Sequence, residues 1–185
     1  MTQPMDAWES ISGQTMVQEI STLQKYVRDL PDGSIIVELG VCQGRSGLGI
    51  ALACQGTNKK VWLIDDFNPE NPGYVSPNHK KTVANIVRLG LQKWTGIIVS
   101  DSTEAGHNWD KGPVALLFHD ASHEYWKVKE DLLAWLPNME KGGYIALHDY
   151  DVPKHSTHRG VKKAADEVLG KPIAVQKRLG IFQCN

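Results

Sequence analysis

The chain has 185 residues, 41% of them hydrophobic and 22% charged, and a net charge of −1 with histidines neutral. That length suits one domain with a core of its own, and the near-zero charge speaks against nucleic acid or a membrane surface as partner. No window approaches 18 consecutive apolar residues, and the opening MTQPMDAWESISG lacks the charged-then-apolar order of a secretory leader, so a cytoplasmic protein is expected. The three cysteines, Cys42, Cys54 and Cys184, are odd in number and form no CxxC pair, which predicts buried free thiols.

The elements follow in a regular order. An N-terminal helical segment fills residues 1–33: Val17, Ile20, Leu23 and Val27 recur at helical spacing over 15–29, and Pro31-Asp32-Gly33 ends the helix. SIIVELG (34–40) reads as a buried strand and GRSGLGIALAC (44–54) as a small-residue helix. KVWLIDD (60–66) is a second strand. A Pro/Asn/Gly-rich loop at 67–78, a candidate lid, leads to a helix over 79–89.

TGIIVSD (95–101) and PVALLFHD (113–120) are the third and fourth strands. An amphipathic helix over 124–136 is closed by Pro137 and Gly142-Gly143, with Trp126 and Trp135 assigned to the core. YIALHDY (144–150) is the fifth strand, a helix follows over 158–169, and PIAVQKRLGIFQC reads as two strands about a Leu179-Gly180 turn. Strands alternating with helices imply a single α/β domain over 1–185. Its sheet is mostly parallel and covered on both faces, with the last strand antiparallel.

Ligands of such sheets bind beyond the carboxyl ends of the strands. Glu38, Asp65, Asp101, His119-Asp120 and His148-Asp149 all fall on that edge, and two strands end in the same His-Asp pair, 29 positions apart. VELGVCQGRSG has the spacing E-x-G-x-x-x-G, in which Gly40 and Gly44 let the backbone turn tightly and approach a ligand closely. Glu38 can meet a cationic amino group and Asp65 can accept from two ribose hydroxyls. Asp101-Ser102 either reaches an exocyclic amine or caps the next short helix. His123, three residues beyond Asp120, is a base candidate because an imidazole exchanges a proton near neutral pH. His119 points to the other side of its strand and reads as structural.

The succession strand-ELGxxxG-helix, strand-Asp, strand-Asp, strand-Asp resembles the class I S-adenosylmethionine-dependent methyltransferases. HDASHEYWKVKEDLLAWLPNMEKGGYIALHDY with RGVKKAADEVL narrows this to a resemblance to the macrocin O-methyltransferase-like branch, across about residues 34 to 170. The resemblance implies a Rossmann-like fold with seven strands and a C-terminal antiparallel hairpin. It further implies S-adenosylmethionine as cofactor and O-methylation of a small-molecule hydroxyl on a sugar or natural product. Glu38, Gly40, Gly44, Asp65, Asp101, Ser102 and Asp120 would contact the cofactor, and Asp120, His123 and Asp149 would form the catalytic edge. Such enzymes hold magnesium on an acid after strand four and an acidic or amide pair after strand five. Those positions are Asp120, His148 and Asp149 here, and His148 departs from the pattern because magnesium prefers oxygen donors.

Two other readings stay open at this stage, a metal-dependent hydrolase built on the Asp/His cluster and a non-catalytic module that binds the cofactor. The short segment before the first strand leaves the acceptor site either open or completed by a second subunit in a homodimer.

Overall fold

The computed structural model describes residues 8–67, 76–153 and 156–185. Most of the 67–78 loop proposed as a lid, together with His155, lies outside them. In chain order the elements are α1 (Val17–Asp29), β1 (Ile35–Leu39), α2 (Arg45–Leu52), β2 (Lys60–Asp65), α3 (Pro77–Arg88), β3 (Thr95–Val99) and α4 (Ser102–His107). They continue with β4 (Val114–His119), α5 (Tyr125–Trp135), β5 (Met139–Leu147), α6 (Arg159–Val168), β6 (Ala174–Gln176) and β7 (Leu179–Gln183). The seven strands lie in the order β3-β2-β1-β4-β5-β7-β6. β7 runs antiparallel to both of its neighbours, and the remaining pairs are parallel.

The strands are apolar on both faces because helices cover both. Ile36, Leu63, Leu116, Phe118 and Ala146 face α1, α2 and α3. Val37, Leu39, Leu117, Ile145 and Leu147 face α4, α5 and α6. The alternation within β1 and β4 is the period-two rule of a strand, here applied to a sheet buried twice. Ile20, Leu23 and Val27, all fully buried, anchor α1 on the first face, and burial of each such side chain contributes roughly 1.5–3 kcal/mol. The same parity sends His119 to the second face, where its Nε2 lies 3.0 Å from Asp131 Oδ2 of α5. His119 is structural, as its strand position implied.

Four features differ from the sequence reading. β5 begins at Met139, so Gly142-Gly143 lies inside the strand at a break in register instead of closing the preceding helix. The final hairpin turns at Lys177-Arg178, with Gln176 paired to Leu179, and Lys177 adopts φ 57°. Gly180 belongs to the strand, and it is glycine because a side chain there would strike the Tyr150 ring. Trp126 is 69% exposed while Trp135 is fully buried, since nine positions on a helix do not return to the same face. Of the three free cysteines only Cys54 is buried; Cys42 is exposed and Cys184 half-buried.

A close contact links fold to site. A Cβ at Gly47, in α2, would overlap Glu38 Oε2 and the Leu63 side chain, so the helix can sit over β1 only with no side chain there. Gly47→Ala is expected to destabilise the fold by about 1–3 kcal/mol in urea titrations, the usual cost of overpacking. An unchanged midpoint would contradict this packing.

Candidate active site at the carboxyl edge of the sheet

The strand order reverses direction between β1 and β4, which opens a crevice beyond their carboxyl ends. The ladders run in register to the rim, with Leu39 paired to Ile64 and to His119, and His119 to Leu147. One residue further on, Asp65, Gly40, Asp120 and His148 therefore stand side by side. Gly40 has φ 85°, and a Cβ on it would overlap the Asp120 carbonyl. The crossing of these two strand exits requires a bare backbone. Gly44 (φ 88°) caps the N-terminus of α2.

Two cavities share Gly40, Asp65 and Ala121 as walls. One, of about 450 Å³, lies toward Asp120, His123, His148 and Asp149. The other, of about 290 Å³, lies toward Asp101, Ser102 and Lys127. Larger grooves run elsewhere, by β6 and along α6, without a comparable gathering of strand exits. Ser12, Gly13, Gln14 and Thr15 roof the first cavity. Arg45 pins this segment, donating to the carbonyls of Glu9 (2.5 Å), Ile11 (2.7 Å) and Thr15 (3.1 Å). Its guanidinium also lies 5.6 Å from the Trp8 ring centre.

The expected cofactor residues take unequal places. Glu38 is fully buried beneath α2, with Oε1 accepting from Ser46 and Oε2 unpartnered. Burial, joined by the charges of Asp120 and Asp65, lifts its pKa well above the carboxylate range despite the Ser46 bond. The carboxyl thus sits behind the crevice wall instead of on its surface. Asp65 accepts from the backbone N–H of Val41 (2.6 Å), Cys42 (2.8 Å) and Phe67 (2.6 Å), so it shapes the glycine turn as it lines both cavities. Asp101 caps α4 through the Thr103 and Glu104 amides and pairs with Lys127. The Ser102 hydroxyl donates to buried Asp131.

The other strand exits form a charged network. His148 is 2% exposed, with Nδ1 3.1 Å from Asp120 Oδ1 and 3.5 Å from Asp149 Oδ2, and Nε2 3.3 Å from Glu19 Oε2. Burial opposes its charge, but Asp120 and Glu19 outweigh burial and raise the pKa to about 10. Thr15 donates to Asp120 Oδ2 at 3.1 Å.

Asp149, at φ 54°, is 1% exposed. Its Oδ2 lies 3.0 Å from His123 Nε2 and 2.6 Å from His158 Nδ1, and its Oδ1 accepts from Arg178 at 3.2 Å. Burial works against this carboxylate, yet His123, the His148 charge and His158 hold its pKa well below the usual range. The His123 and His158 rings stack 3.8 Å apart at 11°.

A protein family described as "Methyltransferase domain" matches residues 37–150, from the third residue of β1 through the end of β5 to Tyr150. The chain belongs to this family. The match covers the strand exits of the crevice from Gly40 to Asp149, and the roof at 12–15 lies outside it. Solved structures share the fold of this methyltransferase. The O-methyltransferase NovP aligns over 91% of this chain and 80% of its own at 19% identity and TM-score 0.71. The calicheamicin methyltransferase CalS11 covers 89% and 76% at 18% identity and 0.68. TomG of Streptomyces achromogenes, involved in tomaymycin synthesis and solved with S-adenosylmethionine, covers 93% and 82% at 13% identity and 0.69. No curated protein matches the sequence. Among the described residues, no helix of the methyltransferase is long and apolar enough to cross a membrane.

The sequence reading missed Thr15, Glu19, Arg178 and the roof at 12–15, and it left His158 aside. Glu19 carried a signal: it stands four and eight positions before Leu23 and Val27, an acid on the apolar stripe of α1. Arg178 carried none, since its place depends on the hairpin.

His148 and Asp149 give opposite pH dependences. The folded pKa of His148 exceeds the ordinary imidazole value near 6.5, so its contribution is complete below that pH and is lost as pH rises toward about 10. The depressed Asp149 contributes fully above the ordinary carboxylate range and loses its contribution on acidification. Urea titrations are expected to show stability falling between pH 7 and 10, and His148→Gln is expected to flatten that fall. A parallel decline in both proteins would refute the buried imidazolium.

Proposed function

We propose that this methyltransferase transfers a methyl group from S-adenosylmethionine to a hydroxyl of a small molecule, with His123 as general base and Asp149 as its orienting partner. The observation that carries the reading is that His123 and Asp149 line the same cavity as the glycine turn at Gly40, with His123 Nε2 3.0 Å from the carboxylate. That NovP and TomG are O-methyltransferases supports the choice of oxygen as acceptor atom.

The two adjoining cavities support a placement of the cofactor along the crevice. The bare backbone at Gly40 and Val41 would lie against its methionine end in the larger cavity. The smaller cavity, bordered by Asp66, Ser100, Asp101 and Lys127, would take its nucleoside end. Bound there, the cofactor supplies a methyl group already activated on a sulfonium, so the chain has two tasks, alignment and proton removal. With Asp149 Oδ2 3.0 Å from His123 Nε2, the carboxylate would favour the tautomer protonated at Nε2 and leave Nδ1 to take the acceptor's proton. The carboxylate then stabilises the imidazolium that forms. Asp120, held by Thr15 and His148, borders both the turn and the acceptor space. The roof at 12–15 limits water, and a cavity of about 450 Å³ suits a small acceptor.

The fold is that of a methyltransferase, which leaves the hydrolase reading without support. A silent binding module would need neither the oriented His123 nor its buried carboxylate partner. His123→Ala is expected to lower kcat about 10²- to 10⁴-fold, the usual worth of a general base, while S-adenosylhomocysteine still binds in calorimetry. Full activity in that variant would remove His123 from the mechanism, and loss of nucleoside binding by the unaltered protein would end the reading.

A further inference from the structure

The resemblance to metal-assisted O-methyltransferases assigns a divalent cation to Asp120, position 148 and Asp149, and the side chains present do not fit one. A ligand imidazole must turn a lone pair toward the ion. Both nitrogens of His148 face carboxylates instead, Nε2 toward Glu19 and Nδ1 toward Asp120 and Asp149. The carboxylate oxygens are engaged as well. Asp120 Oδ2 accepts from Thr15, and Asp149 is shared among Arg178, His158 and His123. Magnesium demands near-octahedral oxygen ligands at about 2.0–2.1 Å, and seating it here would require expelling a ring that is 98% buried and unpairing two carboxylates.

We propose that the His148 ring stands in the place of the divalent metal, so that neither Asp120 nor Asp149 of this chain binds one. The ring is a positioning residue. Clamped by Glu19 from α1, it fills the space beside the Asp120 and Asp149 carboxylates. Glu19 supports the arrangement from behind: its Oε2 accepts from the Met16 N–H at 2.9 Å and its Oε1 from the Arg178 N–H at 2.9 Å, so the clamp has little room to move.

The inference rests on reading the crevice as a methyltransferase centre, but its test does not require turnover. Chelator-treated protein is titrated with Mn²⁺ by electron paramagnetic resonance, and separately with S-adenosylhomocysteine by calorimetry. The unaltered chain is expected to bind the nucleoside and no stoichiometric Mn²⁺. His148→Asp, which restores an acidic pair beside Asp149, is expected to bind Mn²⁺ at least about tenfold more tightly than the unaltered chain. Stoichiometric Mn²⁺ on the unaltered chain overturns the proposal in either of two ways. Loss of that binding in His148→Gln would make the ring a ligand. Loss in His158→Ala would put the ion on His123, Asp149 and His158, whose donor atoms lie within 4.8 Å of one another. A folded His148→Asp protein with no gain in affinity also overturns it. If that variant does not fold, the unaltered chain's Mn²⁺ titration alone decides. Failure of nucleoside binding condemns the methyltransferase reading and leaves the metal result standing by itself.

Discussion

The site depends on a register. Four parallel strands keep their ladders aligned up to Ile64, Leu39, His119 and Leu147, so the next residue of each strand arrives at the rim on the same row and the same face. A slip of one residue in any ladder would turn its rim side chain to the other face. Asp120 would then exchange places with His119, which belongs to the Asp131 pocket under α5. The buried apolar positions on both faces prevent such a slip, because each shift would expose an alternating set of Leu, Ile and Val to the wrong layer. The core therefore sets the position of the chemistry, and the helices on either face are what make the register costly to lose.

That alignment brings carboxylates together in a space with little water, where like charges repel strongly. The chain resolves the repulsion differently for each group. Glu38 has one serine partner and complete burial, so its environment favours the neutral acid. Asp149 has two imidazoles, a guanidinium and the His148 charge around it, so it stays an anion. Asp120 and Glu19 share His148 between them. One buried imidazolium thus serves three carboxylates from α1, β4 and β5. Each acid faces a different set of donors, and those donors separate a buried structural carboxyl from one that can orient a base.

The pattern of alternating strands and helices was legible because hydrophobic periodicity is local, and the two His-Asp strand ends pointed to the rim for the same reason. The glycine turn was legible from spacing. The roles of Asp65 and Asp101 were less so. A carboxylate at a strand end can serve either a ligand or a nearby amide, and only the conformation of the turn shows that Asp65 meets three amides and that Asp101 caps α4. His148 was read as a weak ligand because sequence gives the residue type and not its neighbours. Its raised pKa comes from Asp120 and from Glu19, which stands 129 positions earlier with no local pattern to connect it to the ring. The hairpin turn was misplaced because Gly180 looks like a turn residue, whereas its bare Cα is needed beneath Tyr150.

The segment before the first helix belongs to the same assembly. Arg45 is the first residue of α2 and follows the glycine turn directly, yet its side chain reaches back to three carbonyls of residues 9–15 and lies by Trp8. A Cβ on Gly13 would press into the Arg45 side chain, so strap and arginine approach as closely as their atoms permit. Thr15 carries the connection onward to Asp120, and Met16 and Glu19 carry it to His148. The wall that would meet the cofactor and the roof over the acceptor space are therefore tied through one guanidinium and one carboxylate pair. The roof thus has direct contacts to Asp120 through Thr15 and to the glycine turn through Arg45.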